Sequence, residues 1–176
     1  ASSYDYISLI DLEMHTFGNN DGVYIDQYSS AINCEVHKGA STPSNKHLLR
    51  FGSNSIIASC YVHDANTGGV GIYAPANGFI LNNYIANCPS GTYGATNVIC
   101  IRNIFLLTST DSYGIQANTR WIISGNIVYN TTAGTLYGIK TTSDFCATVN
   151  NIVVGFSGSG GEGIWNSATN PQIMVG

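Results

Sequence analysis

Three histidines recur at matching places, two of them beside glutamates. The strings are Leu12-Glu13-Met14-His15, Cys34-Glu35-Val36-His37 and Cys60-Tyr61-Val62-His63. A column of imidazoles next to carboxylates can hold a divalent metal or supply a general base. Asp64 follows His63 and is placed to orient its ring. The plainer reading is a surface ladder, in which like residues stack because the chain repeats. Ionisable residues gather in the same region: Asp5, Asp11, Glu13, Asp21, Asp26, Glu35 and Asp64 lie there, with all four histidines. An active site would therefore fall in the N-terminal part. The candidate catalytic set is His37, His63, Asp64, Tyr61 and Arg50, with Lys38 as a further cation. The segment 38–46 falls between two strands and is long enough to loop over this face. No metal and no cofactor are expected.

The elements that must position these residues are repeats. Tyr113-Gly114-Ile115 returns as Tyr137-Gly138-Ile139 and as Glu162-Gly163-Ile164. Asn126-Ile127-Val128 returns as Asn151-Ile152-Val153. A period in the twenties marks one coil of a solenoid, whose units bury their apolar faces only by stacking. The register runs back through the chain. An inward column reads Met14, Val36, Val62, Ile85, Phe105, Val128 and Val153. Two residues earlier it reads Leu12, Cys34, Cys60, Asn83, Asn103, Asn126 and Asn151. The four asparagines would share a corner, bonding amide to amide up the stack and tolerating left-handed backbone. A further column reads Val23, Leu49, Ile72, Ala95, Ile115, Ile139 and Ile164. Apolar runs are three to six residues and alternate with a period of two, so each coil is two or three short strands. About seven coils stacked ~4.8 Å apart make a rod of roughly 35 Å.

The residue after each anchor of that last column points outward. This second stripe reads Tyr24, Arg50, Tyr73, Thr96, Gln116, Lys140 and Trp165. Sugars stack on aromatic rings and hydrogen-bond to Arg, Lys and Gln, so an extended glycan could lie along it. Tyr24, Arg50, Tyr73, Gln116, Lys140 and Trp165 are the candidate glycan-binding residues. An ordinary outer sheet face would also favour Tyr, Thr and Trp. Tyr93, Tyr113 and Tyr137 precede or adjoin glycines and are expected at a corner or inside.

The chain has 176 residues, enough for one domain. Only 9% of residues are charged and the net charge is −4. Six scattered Lys and Arg make no basic stripe, so nucleic acid is not an expected partner. Gly, Asn, Ser, Thr and Tyr are expected on the surface, which suits an extracellular, cell-surface or virion setting. No apolar run is long enough to span a membrane. Both ends fall in mid-coil without polar caps, so the expectation is a segment of a longer protein, with further coils of the same or another chain at both open ends. Five cysteines are expected as small buried fillers, Cys34 stacked on Cys60. Asn130-Thr131-Thr132 matches the glycosylation acceptor pattern.

Gly-Ile and Asn-x-Ile at this period resemble the right-handed parallel β-helix repeat of the pectate-lyase-like superfamily, over about Leu12 to Ile164. The resemblance implies fold and says little of activity, because that coil serves polysaccharide lyases and hydrolases, phage tailspikes and adhesins. The polygalacturonase-like motifs are missing; Asn20-Asp21-Gly22 is the nearest fragment and lacks a second carboxylate at Asp-Asp spacing. The calcium and arginine set of pectate lyases is missing too. The expected fold is all-β: a single right-handed parallel β-helix over residues 1–176. The expected function is a non-catalytic extracellular, cell-surface or virion module with a structural, adhesive or glycan-contacting role. The alternative is a polysaccharide-active enzyme, a lyase before a hydrolase, with its site in the N-terminal coils.

Overall fold

A computed structural model describes residues 6–16, 22–38, 47–65, 68–108, 113–132, 137–156, 161–167 and 173–175. Among them the chain forms 22 strands of three to five residues and no helix. Every strand pairing is parallel, and each strand pairs with its equivalents one coil away. Three sheets result, of eight, seven and seven strands, so the chain makes about seven coils. The first sheet runs from Ser8–Ile10 to Ile173–Val175, the second from Glu13–Thr16 to Ile152–Val154, and the third from Val23–Ile25 to Glu162–Asn166.

Short strands turn corners because single residues adopt left-handed backbone. Between the first and second sheets these are Asp11, Asn33, Ser59, Asn82, Arg102, Gly125 and Asn150, with φ between 53° and 64°. The amide of each such residue still bonds to the next coil, as from Asn82 to the Ile101 carbonyl at 3.0 Å and from Arg102 to that of Ser124 at 3.0 Å. The left-handed residue is thus the one before each ladder asparagine, one position earlier than the sequence reading placed it. The bend turns Asn83, Asn103 and Asn126 inward, where they are at most 1% exposed. Their amides run up the stack: Asn83 Nδ2 donates to Asn103 Oδ1 at 2.9 Å, Asn103 to Asn126 at 3.0 Å, and Asn126 to Asn151 at 3.0 Å. The same Oδ1 atoms accept the backbone N–H of the coil below. A buried amide is tolerated because its polar atoms are bonded.

The core is the meeting line of three inward columns. Val36, Val62, Ile85, Phe105 and Val128 line it from the second sheet, Leu49, Ile72, Ile115 and Ile139 from the third, and Ala31, Ile57, Ile80, Cys100 and Ile123 from the first. All five cysteines are buried free thiols. Burial pushes Cys60 up to about 11 and Cys88 and Cys100 up to about 12, so these three thiols are not ready nucleophiles. Asn130 is buried and its amide bonds to the Thr132 carbonyl, which removes it as an accessible acceptor for a glycan.

The outer surface is more apolar than composition implies. Ile56, Phe79 and Ile122 are exposed on the first sheet, and Ile104, Ile127 and Ile152 on the second. Along the second sheet the outward column changes from Glu13 and Glu35 through Tyr61 and Tyr84 to those isoleucines. Among the described residues, the acidic and imidazole side chains on the strands of this face thus stand in the N-terminal coils.

Candidate functional site

The histidine ladder forms on the second sheet. Parallel register sets Glu13 on Glu35 and His15 on His37, then His37 on His63. Residues two apart in a strand share a face, so Glu13 and His15 both point outward. Glu13 Oε1 takes hydrogen bonds from His15 Nε2 at 3.0 Å and from His37 Nε2 at 3.3 Å. The His37 ring lies 5.0 Å from that of His63, nearly parallel to it. Tyr61 stacks on His63 at 4.0 Å.

His63 is held on both sides. Its Nδ1 lies 2.8 Å from Asp64 Oδ2 and its Nε2 lies 3.0 Å from Glu35 Oε1. The first contact is the orienting bond expected of a base and its partner. The second occupies the nitrogen that a base would turn to substrate. Burial holds the Tyr61 hydroxyl above its ordinary range, helped by Tyr84 and then Asp64, so Tyr61 stays protonated. Arg50 is not part of this group. It sits on strand His47–Phe51 of the third sheet, between Tyr24 and Tyr73. The proposed set of His37, His63, Asp64 and Tyr61 is therefore brought together, and Arg50 is placed on another face. The Lys38 side chain, the loop beyond it and Asp21 lie outside the described residues.

The carboxylates of the ladder set an acid limit on the fold. Hydrogen bonds from His37 and then His15 hold Glu13 below its usual range. Burial raises Asp64, but bonds from His63 and Asn87 outweigh it and leave it low. A carboxyl held low in the folded chain stabilises it above the ordinary carboxylate range and loses that contribution as pH falls through the lowered value. The melting temperature should thus stay level down to about pH 5 and drop below about pH 4. Asp64→Asn should flatten the drop when melting is followed by circular dichroism. An unchanged acid profile would count against the pairing.

The outward stripe of the third sheet is continuous. Register joins Tyr24, Arg50, Tyr73, Tyr93, Gln116, Lys140 and Trp165 in that order. One expected member changes: Tyr93 takes the place given to Thr96, and Thr92 takes the inward place given to Ala95. The strand is Ser90–Gly94, and its Ser-Gly-Thr-Tyr-Gly matches Val70-Gly71-Ile72-Tyr73-Ala74. That match is the signal which could have found Tyr93. Thr92 is fully buried, and its hydroxyl donates to the Ile72 carbonyl at 2.9 Å.

Rings and hydrogen-bonding side chains share the stripe, with Arg50 between Tyr24 and Tyr73 and Lys140 beside Trp165. The Arg50 guanidinium lies 5.4 Å from the Tyr24 ring centre and 4.9 Å from that of Tyr73. Lys140 Nζ lies 5.0 Å from both Tyr137 and Trp165. Tyr73 meets Tyr93 edge-on at 5.3 Å. Behind them His47, which the sequence reading did not use, bonds through Nε2 to the Tyr93 hydroxyl at 2.9 Å. A shallow hollow of about 180 Å³ opens between Tyr24, Arg50, Gly52, Ser53 and Tyr73. Tyr113 and Tyr137 flank the stripe half-exposed, so they are not interior residues.

Compared with curated proteins, the chain matches none. Among solved structures it is similar to QnrB1, a plasmid-mediated fluoroquinolone resistance protein, at 11% identity over 92% of this chain and 91% of that one, with a TM-score of 0.22. A likeness that slight bears no weight on function. The family described as "Right handed beta helix region" matches residues 8–175, and the chain belongs to it.

Proposed function

We propose that the chain is a non-catalytic module that contacts an extended glycan along its third sheet, in an extracellular, cell-surface or virion setting. The observation that carries this is the continuous outward row from Tyr24 to Trp165, which combines the rings of Tyr24, Tyr73, Tyr93 and Trp165 with the hydrogen-bonding side chains of Arg50, Gln116 and Lys140. Rings offer apolar sugar faces a surface, and Arg50, Gln116 and Lys140 offer donors between them. The rigid strand stack fixes the spacing before binding, so little ordering cost opposes it.

The polysaccharide lyase reading draws support from the His63–Asp64 contact at 2.8 Å. It is the lesser reading, because Glu35 occupies the other ring nitrogen and Arg50 stands on another sheet.

Purified chain titrated with acidic and neutral polysaccharides tests the proposal. Binding to at least one polymer is expected, and Tyr73→Ala or Trp165→Ala should weaken it about tenfold, the loss of one stacked ring. His63→Ala should leave it unchanged. New reducing ends or ultraviolet-absorbing double bonds that vanish with His63→Ala would overturn the module reading in favour of the enzyme.

A further inference from the structure

We infer that Glu13, His15 and His37 form a binding site for a transition-metal dication of the zinc type, on a different sheet from the glycan stripe and independent of it. This revises the expectation of no metal. One imidazole nitrogen from each of two coils converges on one carboxylate oxygen. His15 Nε2 stands 3.0 Å and His37 Nε2 3.3 Å from Glu13 Oε1. All three donor atoms lie within 4.8 Å of one another. A tetrahedral zinc ion with bonds of about 2.0–2.1 Å holds its ligands roughly 3.3 Å apart. The spacing of the hydrogen-bonded group is thus already close to that of a chelate. Small closure of the two rings, whose centres are 4.0 Å apart, completes it.

The donor set selects the cation. Two imidazoles and one carboxylate suit zinc, copper or nickel, whereas calcium and magnesium want oxygen. Three protein ligands leave a fourth position to water, as in the two-histidine, one-glutamate zinc sites. The surroundings hold the ligands in place. His37 is backed by the His63 ring, and His63 is fixed by Asp64 and Glu35. Glu35 also sits in register with Glu13, so carboxylates gather round the site and draw cations to it. The backbone under the site is a paired sheet, so the donors are presented on a rigid face. The sequence makes this site because residues two apart share a strand face and the coil repeat brings a second histidine directly above the first.

The test uses the full chain without a polyhistidine tag, titrated with zinc chloride by calorimetry. Cobalt(II) serves as an optical probe, because a tetrahedral nitrogen–oxygen site gives visible absorption bands. One zinc per chain is expected, with His15→Ala, His37→Ala and Glu13→Gln each lowering affinity at least tenfold and bleaching the cobalt bands. The ligands are on the surface, so circular dichroism of the three variants should match the parent. Absence of heat and of cobalt bands with the parent chain would overturn the inference. So would zinc binding that survives Glu13→Gln and His15→Ala but is lost in His63→Ala, since the ion would then lie one coil higher. Neither outcome touches the glycan proposal, which is read on the third sheet.

Discussion

Asn103→Ala should lower the free energy of unfolding by about 2–4 kcal/mol, measured by urea denaturation. The side chain is fully buried, and its Oδ1 accepts both the backbone N–H and the amide of Asn83 at 2.9 Å. Its own Nδ2 donates to the Ile80 carbonyl at 2.9 Å and to Asn126 Oδ1 at 3.0 Å. Alanine leaves the Asn83 N–H without its acceptor in a dry interior, and the penalty of an unmade bond exceeds the worth of a made one. The exposed asparagine column supplies the comparison. Asn77 donates to Asn54 at 3.3 Å and accepts from Asn97 at 2.8 Å, in water. Asn77→Gly, which keeps the left-handed backbone, should change stability by no more than about 0.5 kcal/mol. Equal effects at the two sites would refute the inward ladder as a source of stability.

Gly114→Ala should cost about 1–3 kcal/mol or more, while Gly163→Ala should be close to neutral. The two glycines occupy the same repeat position. A Cβ on Gly114 would stand 2.2 Å from Val128 Cγ1 and 2.7 Å from the Gly138 carbonyl oxygen. On Gly163, among the described residues, it would meet only Val153 Cγ1, at 3.7 Å. The missing side chain thus lets the third sheet close on the second. Adding Val128→Ala to Gly114→Ala should give a loss smaller than the sum of the two single changes, because the valine methyl is part of the clash. Additive losses would mean that the glycine is required for another reason.

Most of the architecture is legible in the sequence because stacked coils repeat their register. The column from Met14 to Val153 and the pile of His15, His37 and His63 stand where the spacing puts them. The fourth coil is misread for a physical reason. Thr92 fills an inward place with a polar residue, and Gly94-Ala95 imitates the usual glycine–apolar pair three residues on. A hydroxyl that finds a carbonyl inside the core leaves no mark on a hydropathy pattern. Arg50 stands in the stripe where its column put it, and only its grouping with the histidines fails. That grouping followed proximity in sequence, although the chain crosses from the second sheet to the third between His37 and Arg50. The convergence of Glu13, His15 and His37 on one point depends on side-chain tilt, which repeat spacing does not specify.

The asparagine ladder stops at Asn83, and that boundary divides the rod into a hard half and a soft half. Below it the same position holds Cys60 and Cys34, whose thiols reach carbonyl oxygens only at 3.3–3.5 Å. Thiols are weak donors and leave the chain of aligned amides without a continuation. Nearest-neighbour stacking then makes local opening a matter of which interface gives first. Of the two halves, the thiol half should exchange its amide hydrogens sooner. It is also the half that carries the histidines, so a cation bridging His15 and His37 would act as a clasp on two coils where the internal amide seam is missing.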